Sequence, residues 1–249
     1  MLKQSVGFNS LALGTFALIT ALLLAGTHLG TQDKIAAAER HAAEKALLEI
    51  IPRERHNNDM LIDTVPVPRN LWDKLGLTHG GLVNIARLNG RIEALIIPAV
   101  AADGYSGDIK LIAGVNRDGT LAGVRVLAHT ETPGLGDKID LKKSQWMLGF
   151  NGKSLSSPQP SGWRVKKDGG DFDQFTGATI TPRAVVTQVH KVLEYYAEEG
   201  QRLIKADEAA KLGETTIKEG ETIKVSETIK VNETIKVDET MISPGARNE

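Results

Sequence analysis

Between Gln4 and Gln32 the chain carries no Asp, Glu, Lys or Arg, and Leu11–Leu29 is dense in Leu, Ala, Thr and Ile. A helix needs about 20 apolar residues to cross a bilayer, so this stretch is long enough to span one. A cleaved signal peptide competes with that reading, because Lys3 supplies a charged start and Ala25-Gly26 are small. The length of the stretch, with no Ala-x-Ala site after it, favours a retained anchor. Lys3 and the α-amino group precede it, which puts the N-terminus in the cytoplasm by the positive-inside tendency, although Lys34 and Arg40 follow on the other side. From Asp33 to Ile51 the pattern becomes helical and Ala- and Glu-rich, with Ile35, Ala42, Ala46 and Ile50 spaced along it and Pro52 ending it. This reads as a stalk, and the polar, proline-bearing Arg53–Pro68 as a connecting segment.

From Gly81 the period changes. Leu82–Leu88 and Arg91–Ile97 flank Asn89-Gly90, the dipeptide that best supports a tight hairpin. Asp108–Val115 and Thr120–Leu127 flank Asn116-Arg117-Asp118-Gly119, a second hairpin signal. A helix is then predicted from Pro182 to Glu199, with Val185, Val189, Val192, Leu193 and Tyr196 on one face. Thr181 would be its N-cap, Pro182 its first residue and Gly200 its stop. After Lys211 an x-Thr-Ile-Lys unit, Glu-Thr-Ile-Lys in its last three copies, recurs every six residues, marked by Ile217, Ile223, Ile229 and Ile235. Four such units are few for a solenoid, and a flexible or loosely β-structured tail is expected. The chain thus divides into an anchor (1–32), a stalk and linker (33–68), an α+β domain with an antiparallel sheet and flanking helices (69–205), and the repeat tail (206–249).

Composition removes several function classes. The 249 residues carry a net charge of −1, so no basic field argues for nucleic acid. With no cysteine, the chain has neither disulfides nor thiolate ligands for iron–sulfur clusters. No Gly-x-Gly-x-x-Gly opens a helix after a strand, so a dinucleotide fold is unsupported. No catalytic dyad or triad stands out, and no metal site is expected. His129 beside Glu131 suits a proton carrier, a metal ligand or, more simply, a loop hydrogen bond. The lysines at 142, 143, 153, 166 and 167 read as a solvated loop face or a docking surface for a neighbouring subunit. Trp146 and Trp163 read as packing residues or as a shield for a ligand.

Two runs carry candidate chemistry. In Asp173-Gln174-Phe175-Thr176-Gly177-Ala178-Thr179 a hydroxyl sits just before a helix start, where free N–H groups and the macrodipole favour a phosphate. Gly177 and Ala178 allow close approach to the backbone. In Glu131-Thr132-Pro133-Gly134-Leu135-Gly136 a proline and two glycines set a rigid turn, with Leu135 available to a flat apolar ring. The first run resembles the flavinylation signature Asp-x-x-(Ser/Thr)-Gly-Ala-Thr. The second, like Gly104-Tyr105-Ser106-Gly107, resembles a hallmark of the same proteins: the FMN-binding subunits of the Rnf and Nqr membrane complexes.

That resemblance implies FMN held covalently through a phosphoester to Thr179, with Asp173, Thr176, Gly177 and Ala178 as recognition context. It also implies that Glu131, Thr132, Pro133, Gly134, Leu135 and Gly136 adjoin the ring, and Thr181 joins the cofactor-binding set. The implied partners are the other membrane and iron–sulfur subunits of an Rnf-type complex, a flavin transferase, and lipid through residues 9–30. The implied location is the bacterial cytoplasmic membrane, crossed once, with the bulk on the outer side. The expected function is electron transfer between ferredoxin and NAD coupled to Na⁺ or H⁺ movement. The compact folded part, about 200 residues, favours the G subunit of Rnf. The C subunit of the sodium-pumping NADH:quinone reductase and a non-enzymatic anchored scaffold domain are the alternatives.

Overall fold

The computed structural model describes residues 2–211; of the expected repeat tail (206–249), residues 206–211 are helical and the rest lies outside the described residues. A single helix, α1 (Leu2–Ile50), takes in both the apolar stretch and the expected stalk without a break. Among the described residues, no helix is long and apolar enough to cross a membrane. Every described side chain from Ser10 to Ala25 is nonetheless exposed, including Leu11, Leu13, Phe16, Leu18, Ile19 and Leu22.

Both predicted hairpins form. Strands β2 (Leu82–Leu88) and β3 (Arg91–Ala101) turn at Asn89-Gly90, where both residues hold positive φ (51° and 79°) as the dipeptide demands. Strands β4 (Ile109–Asn116) and β5 (Leu121–Ala128) form the second pair. The sheet has one more strand than the sequence suggested: β1 (Thr64–Pro66), inside the expected linker, pairs antiparallel with β2. The five strands follow one another in spatial order β1-β2-β3-β4-β5, all neighbours antiparallel. Prolines in and beside so short a segment disguise it, and an edge strand tolerates proline because one side of it makes no ladder bonds.

The sheet is covered on both faces. On one, Leu95, Ile97, Ala99, Leu111, Ala113 and Val115 share a core with Leu75 of the short α2 (Trp72–Leu75) and with α3 (Ile180–Tyr195), and Val185, Val189, Val192 and Leu193 of α3 are fully buried. Burying each such side chain contributes about 1.5–3 kcal/mol. On the other face, Leu47 and Ile50 from the end of α1, and Ile51 just after it, meet Ala86, Ala94, Ile96 and Ile112. Gly114 leaves the space that Ile50 fills, since a Cβ there would collide with it. The stalk therefore ends as part of the domain core.

Helix α3 differs from expectation at both ends. It begins at Ile180, with Thr179 in the N-cap position, so Thr181 and Pro182 lie inside its first turn. Proline is accepted there because first-turn N–H groups have no intrahelical partner. Gly200 does not stop it: the helix widens into a π-turn over Tyr196–Gly200 and residues 201–211 continue helical. Gly200 instead gives clearance, as a Cβ there would lie 2.6 Å from the Tyr196 ring.

Candidate binding site

The β3–β4 connection, the segment after β5 and the start of α3 all emerge at one end of the sheet. There they enclose an open cavity of about 280 Å³, lined by Tyr105, Glu131, Thr132, Leu135, Gly136, Gly177, Ala178, Thr179, Ile180 and Thr181. Three runs far apart in sequence (104–107, 131–136 and 176–181) thus meet around one space.

Glu131 binds them together. Its carboxylate is buried, with one oxygen accepting from the Ser106 N–H at 2.9 Å and the other from the Thr181 hydroxyl. Thr130 adds a hydroxyl bond to the Ser106 carbonyl at 2.8 Å. The 131–136 turn is closed by Leu135 and Gly136 N–H groups on the Thr132 carbonyl, and by the Gly134 N–H on Asp137 Oδ1 at 2.9 Å. Gly134 and Gly177 both take positive φ (78° and 82°), which few other residues tolerate. A Cβ on Gly177 would reach 3.3 Å from Leu135 Cδ2, so the missing side chain sets the separation of the two motifs.

Thr179 is the decisive residue. A threonine in an N-cap position ordinarily caps, yet here it is αR (φ −81°, ψ −26°) and its side chain makes no capping bond. Instead the residue lines the cavity at the N-terminus of α3. A purely structural role as a cap is therefore not what this residue performs.

The rim is apolar and unburied: Tyr105 is 67%, Leu135 41% and Ile180 44% exposed. Tyr105 and Ile180 were not among the site residues expected from sequence. The first lies within the 104–107 run, and the second is a large apolar residue stranded between two polar ones. Conversely, Pro133, Gly134, Asp173 and Thr176 do not line the cavity. Asp173 faces away, paired with Lys166 at 2.6 Å, while its carbonyl accepts the Trp146 indole N–H at 2.8 Å. Trp146 packs edge-on against Phe175, with ring centroids 5.0 Å apart, and so braces the approach to Gly177. Trp163 is buried against Phe172. The His129–Glu131 pair is a loop hydrogen bond, with the Glu131 N–H donating to His129 Nδ1 at 3.1 Å. Among the described residues, no group of three side chains could hold a metal ion.

Residues 104–194 match the FMN-binding domain, and residues 1–50 match the RnfG N-terminal region. The chain is 50% identical over 210 residues to the G subunit of the ion-translocating oxidoreductase complex of Pseudomonas aeruginosa strain UCBPP-PA14, covering 84% of this chain and 96% of that one. The chain belongs to the G-subunit family of ion-translocating oxidoreductase complexes. Further G subunits are 45% identical over 196 residues in Vibrio atlanticus (79% of this chain, 92% of the relative) and 45% identical over 205 residues in Pseudoalteromonas atlantica (82% and 94%). Membership in the G-subunit family sets aside both alternatives, the quinone-reductase C subunit and the scaffold domain. All ten residues around the cavity fall inside the matched FMN-binding domain.

Proposed function

We propose that this chain is a membrane-anchored electron carrier of an Rnf-type complex, with FMN esterified through its phosphate to the Thr179 hydroxyl. The observation that carries this reading is the uncapped Thr179 in a cavity whose other walls come from the 131–136 turn and Tyr105. The residues fit the group. A phosphodiester keeps one negative charge, suited to the start of a 16-residue helix. Leu135, Ile180 and Tyr105 offer apolar surface for a ring, and Gly177 leaves room beside them. Bound FMN would supply the redox chemistry itself.

A transferase supplying FAD and Mg²⁺ would load the site with the Thr179 hydroxyl as nucleophile toward the FMN-side phosphorus: the Thr179 O–P ester would form as the pyrophosphate P–O bond breaks, with AMP as the leaving group and the hydroxyl proton released. Asp173 and Thr176, exposed and off the cavity, are assigned to recognition by that transferase. Residues 9–30 are assigned to the membrane. Support comes from a helix that is apolar on every side and unburied along 10–25, with its Thr15 and Thr20 hydroxyls bonded back to the Leu11 and Phe16 carbonyls at 2.9 Å. The domain then lies on the outer side and exchanges electrons with neighbouring subunits, between ferredoxin and NAD, as Na⁺ or H⁺ moves. Denaturing electrophoresis of chain made with the transferase tests this. A fluorescent wild-type band and a dark Thr179→Ala band are expected, and a dark wild-type band ends the proposal.

A further inference from the structure

The geometry points to Glu131 as a positioning residue: it acts through the Thr181 hydroxyl to fix the first turn of α3, so that Thr179 is presented for flavin attachment. This rests on the flavinylation reading above and assigns Glu131 a role other than contact with the ring.

Three observations support it. First, Glu131 is only 4% exposed and has no cationic partner among the described residues; its donors are a backbone N–H and a hydroxyl. A buried carboxylate held only by neutral donors is costly, so plain stability is a poor reason for it to be there. Second, the surrounding sequence is shaped to its oxygens. A Cβ on Gly136 would lie 2.8 Å from Glu131 Oε2 and 2.9 Å from Thr181 Oγ1. A Cβ on Gly104 would strike the Gly107 carbonyl and also stand 3.0 Å from Glu131 Oε1. Third, α3 lacks a side-chain cap, and Thr181, two residues beyond Thr179, is fully buried with its hydroxyl on Glu131. The carboxylate therefore takes over from a cap in orienting the turn, which leaves the Thr179 hydroxyl available for chemistry.

Loading rates measure this directly. The full-length apo chain and its variants are purified and supplied with transferase, FAD and Mg²⁺, and FMN attachment is followed by intact mass. Misplacing a reacting group by about 1 Å can cost up to about 100-fold in rate, so Glu131→Ala is expected to lower kcat for loading by about 10-fold or more, with KM for the chain within about twofold. Glu131→Gln keeps an acceptor and is expected to restore most of the rate lost in Glu131→Ala. Thr181→Val should match Glu131→Ala, and Thr181→Ser should recover, which keeps the test valid if Glu131→Ala does not fold. Equal loading in Glu131→Ala, Thr181→Val and wild type overturns the proposal. So does a Gln variant that folds yet loads as poorly as Ala. Wild-type chain that takes up no FMN overturns the flavinylation reading itself, a result distinguishable from failure of the variants alone.

Discussion

The two ends of the sheet are built from opposite principles. At the end where β2 turns into β3 and β4 into β5, charges are paired. Arg87 holds Asp63 at 2.8 Å and Asp207 at 2.7 Å, Arg117 holds Glu208, and Lys211 reaches Asp207 at 2.7 Å. Tyr196 completes the closure, its hydroxyl donating to the Arg117 carbonyl at 2.8 Å, and burial pushes its pKa up to about 12. At the other end, a carboxylate is buried with no cationic partner among the described residues, a threonine in a cap position does not cap, and large apolar side chains stay in solvent. Helix α3 runs between the two. Groups that pair with opposite charges hold a fold together; a carboxylate buried among neutral donors, an uncapped helix start and exposed apolar side chains at the opposite end mark where a ligand belongs.

If that contrast holds, changes at the two ends must separate loading from stability. The largest effect expected is at Thr179: Thr179→Ala should abolish the FMN adduct by intact mass while leaving the thermal midpoint of the apo chain almost unmoved. Arg87→Ala should do the reverse. It leaves Asp63 and Asp207 without their shared partner, which should lower stability by about 2 kcal/mol in denaturant unfolding, with the adduct retained.

Acid sharpens the same point. Burial alone would raise the Asp207 pKa, but hydrogen bonds from Lys211 and Arg87 outweigh it and hold the carboxyl below its ordinary value of 3.8. A depressed carboxylate stabilises the fold above its unfolded pKa and loses that contribution as pH falls through the folded one. The midpoint difference between wild type and Asp207→Asn should therefore be full at neutral pH and shrink below pH 3.8. Smallest of all, Trp146→Phe removes the indole bond to the Asp173 carbonyl and part of the ring packed on Phe175. It should cost about 1 kcal/mol or less, with a modest fall in loading as the approach to Gly177 loosens.

The paired end was far more legible in the sequence than the open one. Asn89-Gly90 and the Asn116–Gly119 turn announce their hairpins because positive φ is demanded locally, whatever the rest of the chain does. The buried face of α3 was equally plain from spacing, since Val185, Val189 and Val192 repeat at helical intervals. What the pattern hid depends on distant contacts. Strand β1 exists because β2 offers it a ladder, and the burial of Ile50 depends on a gap at Gly114. The start of α3 was misplaced by two residues because Pro182 signals a helix start without distinguishing its first position from its third. At the site, the motifs named the right segments but not the link between them. Nothing local in Glu131 shows that its oxygens reach Ser106 and Thr181, 25 and 50 residues away.

The most direct measurement is fragmentation mass spectrometry of tryptic peptide 168–183 from chain isolated with its membrane. That peptide contains Thr176, Thr179 and Thr181, so fragment masses assign any adduct to one hydroxyl. An FMN-sized increment on Thr179 alone is the predicted result. An unmodified peptide, or an increment on Thr176 or Thr181, contradicts the account.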